Sequence, residues 1–497
     1  MIRLLALRHL TLKPWRSVFL LLGFSMGVAV MIVLLSIGEA LLDQSKDERL
    51  VGGGAITVLP EGVDVEVLKT GGLGGMFFSI DHARFVYLQL LASPRLARDV
   101  RGAAPQIADK LLYLRTPTGR EIPVRADGEI PSRQALVGAA APVAAGAWSD
   151  DAADRRWRDP TPAELRNDID HFHVTPPDAA PRASWGEWHY FNVLSPDRTR
   201  WAFISLILGG DVPHGEWGGR VAITLHEQGR RERRFAAEWP ASAVRFSTTD
   251  ADLRIGQSTV TLMPDGRYGV HAVAREEGGS ATVRVDLVVT PAPHAYFPGA
   301  SLSEGAVVSG YVVPALRADA SGTICVDGAC DRYDGAQSYH DHNWGVWRGV
   351  TWEWGAARAG AYTVLYGRVQ PPDSLAVDQP LFVYVVDSLG FLALFRPRVV
   401  AYTDDRTIAV GGHSVRVPSR ATMVDARGDD SLRIDLTIED AIGTDTRLPL
   451  LERGDVSGAQ RLRHPYFIQM KGLARLSGRV GGRPITGTGA GFFETYR

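Results

Sequence analysis

Between Gln337 and Gly355 the chain reads QSYHDHNWGVWRGVTWEWG, which sets four of its 12 tryptophans beside Tyr339, His340, Asp341 and His342. Successive side chains on a strand point to opposite faces. Tyr339, Asp341 and Asn343 therefore share one face, and His340, His342 and Trp344 share the other. In an apolar enclosure Asp341 would lose solvation, and its carboxyl would keep its proton toward neutral pH. An acid in that state is a proton donor, and Tyr339 beside it can hydrogen-bond it or relay the proton. The indole faces of Trp344, Trp347, Trp352 and Trp354 would attract a transient cation. Acid and aromatic box together are what protonating an alkene to a carbocation requires.

A plainer reading of the same residues is packing, with Asp341 as a buried acceptor for turn amides. His340 and His342 have the spacing of two metal ligands on one strand face, but no third ligand is identifiable in the sequence. No metal and no cofactor are therefore expected. Upstream, GEWHYF offers Glu187 and Trp188 as further lining candidates beside His340, His342 and Asn343. Arg230, Arg231, Arg233 and Arg234 in GRRERR read as a solvated hairpin end.

These residues sit in a long β-patterned region. From about 184 onward WAFISLIL, RVAITLHEQ, STVTLMP, YGVHAVARE and ATVRVDLVVTP are short, β-branched or aromatic, and divided by Gly, Asp and Pro turns. After 355 the pattern resumes with YTVLYGRVQ, LFVYVVD, RTIAVGG and LRIDLTIED. Such spacing predicts two consecutive all-β sandwich or barrel modules that meet near the tryptophan-rich stretch. Tyr339 and Asp341 are expected to face the interior of the first module, near its junction with the second. In TICVDGACDRY the Asp327-Gly328 pair is a strong hairpin signal. A two-residue loop there sets Cys325 opposite Cys330 in the closer type of cross-strand pair, within disulfide reach.

Ahead of the β region the pattern is different. Ser17 to Gly38 is an uncharged, apolar run of 22 residues, long enough to cross about 30 Å of hydrocarbon as a helix. Arg3, Arg8, Lys13 and Arg16 precede it with no acid, while Glu39, Asp43, Asp47 and Glu48 outweigh Lys46 and Arg49 behind it. The positive-inside rule puts the N-terminus in the cytoplasm and the rest of the chain outside. A cleaved signal peptide is the rival, but its apolar core would be shorter. LFVYVVDSLGFLALF (381–395) is interrupted by Asp387 and Gly390 and reads as strands, not a second span. Residues 82–100 read as a helix, VGAAAPVAAGAW (137–148) as a small-residue junction, and VTPPDAAPRAS (174–184) as a linker. DPTPAELRNDIDHFH contains a helix start with Thr161 as N-cap and Pro162 at the first helical position. A net charge of −2 gives no electrostatic case for nucleic acid.

Two resemblances add to this reading. LRHLTLKPWRSVFLLLGFSMGVAVMIVLLSIGEAL, followed by GGGAITVLPEGVDV, resembles the start of a macrolide-exporter-type ABC transporter permease, with likeness fading over VRGAAPQIADKLLYL. Such permeases have several spans and this chain has one, so the resemblance implies partnership with an exporter and not a transport path. The second runs from about 184 to 497. GYVVPALRADASGTICVDGACDRYDGAQSYHDHNWG, WEW and YTVLYGRV, with GEWHYFNVLSPDRTRWAFISLIL before and GTGAGFFETYR after, resemble the carotenoid 1,2-hydratase and AttH-like family. It implies paired lipocalin-like (calycin) domains, and roles for Tyr339 and Asp341 in adding water to a terminal isoprenoid double bond. Where the hydratase pattern has a His-x-Trp pair, this chain has Tyr311-Val312-Val313-Pro314.

The expected architecture is thus mainly β: a cytoplasmic N-terminus (1–16), one transmembrane helix (17–38), a permease-like mixed α/β extracytoplasmic segment (39–150), a helix and linker (151–183), and lipocalin-like domains at 184–347 and 348–497. The expected function is binding of an apolar lipid or isoprenoid-type ligand by an anchored periplasmic protein working with ABC transporter subunits. The alternative is a hydro-lyase, cyclase or isomerase using Asp341 as proton donor, and a purely structural accessory is a third reading.

Overall fold

The computed structural model describes residues 14–46, 84, 87, 94–96, 99–137, 150–152, 154–158, 160–175, 185–304, 307–347, 349–371, 380–448, 456–460 and 462–497. The expected helix over 82–100, the junction at 137–148 and the linker at 174–184 lie largely outside the described residues, as do Arg3, Arg8 and Lys13. The chain divides into two compact units, 1–79 with 101–151 and 80–100 with 152–497. In the first, helix α1 (Pro14–Lys46) carries the apolar stretch Pro14–Ser36. Its Phe19, Leu22, Phe24 and Leu35 side chains are exposed, which suits a membrane anchor or a signal sequence. An antiparallel hairpin follows, β1 (Gln106–Arg115) with β2 (Glu121–Glu129).

In the second unit, helix α2 (Pro162–Asp170), started by a capping box at Thr161, precedes the strands. The Thr161 hydroxyl accepts from the Glu164 N–H at 3.2 Å, and the Glu164 carboxylate accepts from the Thr161 N–H at 2.8 Å. Next come β3 (Trp185–Leu194), β4 (Arg200–Asp211), β5 (Glu216–Glu227), β6 (Arg233–Pro240), β7 (Val244–Phe246), β8 (Leu253–Ile255) and β9 (Ser258–Leu262). They are followed by β10 (Tyr268–Glu276), β11 (Thr282–Pro291), β12 (Phe297–Glu304), β13 (Val307–Val326), β14 (Ala329–Arg332) and β15 (Ala336–Val346). The antiparallel order β11-β13-β15-β3-β4-β5-β6-β10 returns to β11 through the β10–β11 pairing, so the sheet closes into a barrel. A barrel of that strand number is just wide enough for side chains to fill. Phe191, Val193, Ile204, Leu206, Ile223 and Val285 fill it, and Phe172, two residues past α2, enters from its end.

A second sheet is built from β16 (Thr351–Ala359), β17 (Tyr362–Gln370), β18 (Phe382–Asp387), β19 (Gly390–Phe395) and β20 (Ala401–Thr403). The hairpin β21 (Arg406–Val410) and β22 (His413–Val417) forms its own two-stranded sheet, with Val410, Val415 and Val417 in the same core. The sheet is completed by β23 (Arg420–Arg427), β24 (Asp430–Asp445), β25 (Tyr466–Val480) and β26 (Arg483–Tyr496). It runs in the order β19-β18-β17-β16-β26-β25-β24-β23-β20 and curls around Val364, Val385, Met423, Ile434, Met470 and Leu476. Residues 381–395 form two strands, in keeping with the charge and glycine that interrupt them. The fold is mainly β, with two consecutive lipocalin-like domains behind an apolar helix.

The outer faces of the two curled sheets pack on each other through Trp201, Phe203, Tyr339, Trp354, Leu365 and Phe492. Within the second sheet the Trp354 ring covers Gly367, its cross-strand partner, where a Cβ would sit 2.4 Å from the indole. Polar clamps flank it: His226 Nε2 lies 2.5 Å from Asp440 Oδ2, and Arg234 donates at 2.7 Å to both Thr444 Oγ1 and the Gly443 carbonyl. That corrects the reading of GRRERR as wholly solvated. Arg230 and Arg231 are exposed, but Arg233 pairs with Glu276 and Arg234 crosses to the second sheet. At the β13–β14 turn Asp327 (φ 47°) and Gly328 (φ 85°) are both left-handed, as a type I′ hairpin needs. Val326 then faces Ala329, and Cys325 faces Cys330, with which it forms a disulfide.

Candidate functional site

Strand β15 is the spine of the site, and its alternation separates two polar networks. It pairs with β3 so that His340 faces Phe191 and His342 faces His189, while Tyr339 faces Asn192 and Asp341 faces Tyr190. Phe191 and Val193 belong to the barrel core, so His340 and His342 point inward with them. Tyr339 and Asp341 do share a face, but it is the outer one. The expectation that they line the first barrel's interior is corrected: they are buried between the two sheets instead.

On that outer face Asp341 is only 4% exposed. The Tyr339 hydroxyl donates to Asp341 Oδ2 at 2.8 Å, Asn343 Nδ2 donates to Oδ1 at 2.6 Å, and Trp354 Nε1 donates to the Tyr339 hydroxyl at 2.9 Å. Burial, and then the nearby Glu494 charge, push the Asp341 carboxyl up to about 8 despite those donors. Glu494 accepts from Trp352 Nε1 at 2.8 Å and from the Tyr190 hydroxyl at 3.1 Å. Burial lifts it to about 7. Gln469 Nε2 donates to the Tyr190 hydroxyl at 3.2 Å. Burial, reinforced by Asp341, holds the Tyr339 hydroxyl above the usual tyrosine range. The outer network is therefore a chain of acids and phenols that favours its protonated state.

The inner network is built from α2, β3 and β15. Asp170, the last residue of α2, meets His340, His342 and Tyr268, whose hydroxyl donates to Asp170 Oδ2 at 2.6 Å. His342 Nε2 lies 3.0 Å from Glu187 Oε1, which also accepts from His173 N and Nδ1 at 2.8 Å. Burial would lower His342, but the carboxylates of Asp170 and Glu187 on either side raise it to about 9.

The sequence candidates therefore divide. Tyr339, Asp341, Asn343, Trp188, Trp347, Trp352 and Trp354 lie on the junction side. Trp188 and Trp347 rings meet at 5.0 Å, and Trp347 and Trp352 at 5.6 Å. Trp344, His340, His342 and Glu187 lie on the inner side, with Trp344 stacked on His173 at 4.0 Å. The expected box of four indoles is not assembled, because Trp344 is on the wrong face and Trp354 packs separately, against Tyr311 and Phe382. Tyr190, Glu494, Gln469, Asp170, His189 and His173 were not singled out by sequence as site residues. For Glu494 the available signal was an isolated acid in the apolar strand AGFFETY.

A crevice between the sheets reaches this junction from solvent. Its open mouth, about 470 Å³, is bordered by Leu194, Arg198, Gln337, Arg358 and Thr488. Leu194, Gln337 and Arg358 also border an inner cavity of about 20 Å³, walled by Trp201, Phe492 and Tyr339. The inner cavity is the size of one water. Tyr339, whose hydroxyl donates to the buried Asp341 carboxyl, is among the residues that line this inner cavity.

No family model matches the chain, and no curated protein matches it. Among solved structures, a proposed AttH of Nitrosomonas europaea aligns over 66% of this chain and 100% of its own, at 15% identity and a TM-score of 0.43. Kievitone hydratase of Nectria haematococca aligns over 66% of this chain and 94% of its own, at 12% identity and a TM-score of 0.39. CghA bound to Sch210972 aligns over 66% and 96%, at 15% identity and a TM-score of 0.39.

Proposed function

We propose that the protein binds a small molecule with an apolar body, of lipid or isoprenoid type, in the crevice between its two β domains. The observation that supports this is continuity. The same three residues, Leu194, Gln337 and Arg358, border both the open mouth and the inner cavity that Tyr339 helps to line. An apolar body fits in the mouth against Leu194, Pro196 and Ala490, and only a terminal hydroxyl or carbonyl group would enter the water-sized inner cavity toward Tyr339. Mass spectrometry of the detergent-extracted full chain is expected to find one such species at about one per chain. Thr488 is exposed at the mouth, so Thr488→Trp is expected to remove that species without unfolding the protein. Recovery of the same species at wild-type amounts from Thr488→Trp would place the site elsewhere.

A second reading is acid chemistry of the hydro-lyase, cyclase or isomerase kind. It is favoured by the 2.8 Å bond between the phenol that borders the cavity and Asp341 behind it. Asp341→Asn keeps the shape and one acceptor oxygen but removes the transferable proton. Turnover of an alkene-bearing ligand should collapse while affinity changes little, and unchanged turnover would end this reading.

We further propose that α1 anchors the chain in the cytoplasmic membrane with its N-terminus inside, and that it pairs with a span of an ABC-type exporter. The basic N-terminal flank supports that orientation, and the Cys325–Cys330 disulfide suits an oxidising compartment. Gly23 and Gly27 are four residues apart, and a Cβ on either meets nothing within 4 Å, so a second helix can approach there closely. A C-terminal phosphatase fusion should be active only outside the cytoplasm. Replacing both glycines by Ile should abolish co-purification of transporter subunits while leaving that fusion active; unchanged co-purification would remove this face from the proposal.

A further inference from the structure

The filling of the first barrel contains a donor–acceptor imbalance that hydrogen bonding among neutral groups does not resolve. Asp170, His189, His340 and His342 are completely buried. Each ring nitrogen of the three histidines faces an oxygen. For His189 these are the Ala251 carbonyl, 2.8 Å from Nε2, and Asp170 Oδ1, 3.5 Å from Nδ1. For His340 they are the Tyr190 carbonyl, 3.1 Å from Nδ1, and Asp170 Oδ2, 3.1 Å from Nε2. His342 lies between Asp170 Oδ1 at 2.8 Å and Glu187 Oε1 at 3.0 Å.

A neutral imidazole has one N–H and one lone pair. Three neutral rings therefore leave three lone pairs directed at oxygen lone pairs. Adding a proton to every ring would crowd three cations, with centroids 5.1 Å apart for His189 and His340 and 4.6 Å apart for His189 and His342. The backbone carbonyls settle two of the tautomers, because a carbonyl only accepts. His189 carries its hydrogen on Nε2 and His340 carries its hydrogen on Nδ1. The opposite nitrogens, His189 Nδ1 and His340 Nε2, then aim lone pairs at the Asp170 carboxylate. His189 Nδ1 has no hydrogen-bond partner at all.

We propose that Asp170, His189 and His340 bind a divalent transition-metal ion, with zinc as the member that fits best. One donor atom from each of the three residues lies within 4.8 Å of the other two. Zinc bonds of about 2.0–2.1 Å in tetrahedral geometry put neighbouring donors about 3.3 Å apart; the facing pairs here are at 3.1 and 3.5 Å. An imidazole held by donating its other N–H to a backbone carbonyl is the usual support for a metal-bound histidine. Imidazole with carboxylate and no thiolate suits zinc, iron or nickel better than a hard cation. A second group, His173, Glu187 and His342, is equally compact. It is less suited, since both of its facing nitrogens already hydrogen-bond Glu187 Oε1, whereas the preferred group holds the unpartnered His189 Nδ1. With its ligands fully buried, the site is structural, tying the end of α2 to β3 and β15, and it is separate from the crevice on the opposite face of β15.

Cobalt is the probe, because it substitutes for zinc and absorbs visible light when bound by nitrogen and oxygen donors. The full chain, extracted in detergent and stripped with a chelator, is expected to take up about one cobalt per chain with a visible ligand-field band. Zinc should displace it and raise the thermal midpoint, and magnesium should do neither. His189→Gln should lose the band, whereas His271→Gln, at a half-exposed histidine outside the barrel, should keep it. A stripped, folded wild-type chain that binds no cobalt overturns the proposal, and this holds even if His189→Gln does not fold. A folded His189→Gln that keeps the wild-type band also overturns it.

Discussion

Trp354→Ala is expected to destabilise the β unit by about 3–5 kcal/mol, the usual cost of truncating a buried tryptophan. The side chain is 5% exposed and packs edge-on to Tyr311, with ring centroids 5.0 Å apart. Its Nε1 also holds the Tyr339 hydroxyl at 2.9 Å. The deletion therefore opens a void between the two sheets and removes a donor from a buried phenol. Trp354→Phe keeps most of the apolar area and loses only the donor, so it should cost about 1 kcal/mol. Urea titrations of the extracted full chain, followed by far-UV circular dichroism, measure both. A cost below about 1 kcal/mol for the alanine variant would mean that the packed junction contributes little to stability.

Glu494→Gln should change how stability depends on pH. Burial raises the Glu494 carboxyl from 4.5 to about 7, so between those values the folded chain binds more protons than the unfolded chain. Stability then falls as pH rises through that window, the reverse of the usual carboxylate behaviour. The ionised group costs about 3 kcal/mol in the fold above pH 7. A glutamine at this position can accept from Trp352 Nε1 with its oxygen and, by reversing the bond, donate its amide to the Tyr190 hydroxyl, giving up only the 3.5 Å contact from Gln469 Nε2. The variant is expected to match the wild type near pH 4 and to exceed it by up to about 3 kcal/mol at pH 8. Thermal midpoints across that range test it, and parallel curves for the two proteins would show that folding leaves the Glu494 carboxyl at its ordinary value.

Much of the local structure was legible in residue types and spacing, because local geometry depends on near neighbours. The Asp-Gly tip decided the β13–β14 turn and brought Cys325 opposite Cys330. Thr161 and Glu164 marked the start of α2. Period-two patterning placed Tyr339, Asp341 and Asn343 together and opposite His340, His342 and Trp344. The 22-residue uncharged run could only be a span or a signal core.

Which of the two β15 faces is inside was not legible. Both carry aromatic and ionisable groups, so hydrophobic contrast, the usual guide to inside and outside, is weak there. Pairing with β3, whose Phe191 and Val193 fill the barrel, settled the choice. The acids that complete each network come from far along the chain. Asp170 meets His340 across 170 positions, and Glu494 meets Tyr190 across 304. No spacing rule spans such distances, because nothing local links a helix end to a strand of a barrel or one sheet's outer face to the next. The sequence by itself determined the strands, the turn, the cap and the apolar helix. Only the closing of one barrel and the docking of the second sheet against it decided that Asp341 lies between two domains, and that His340 lies inside one.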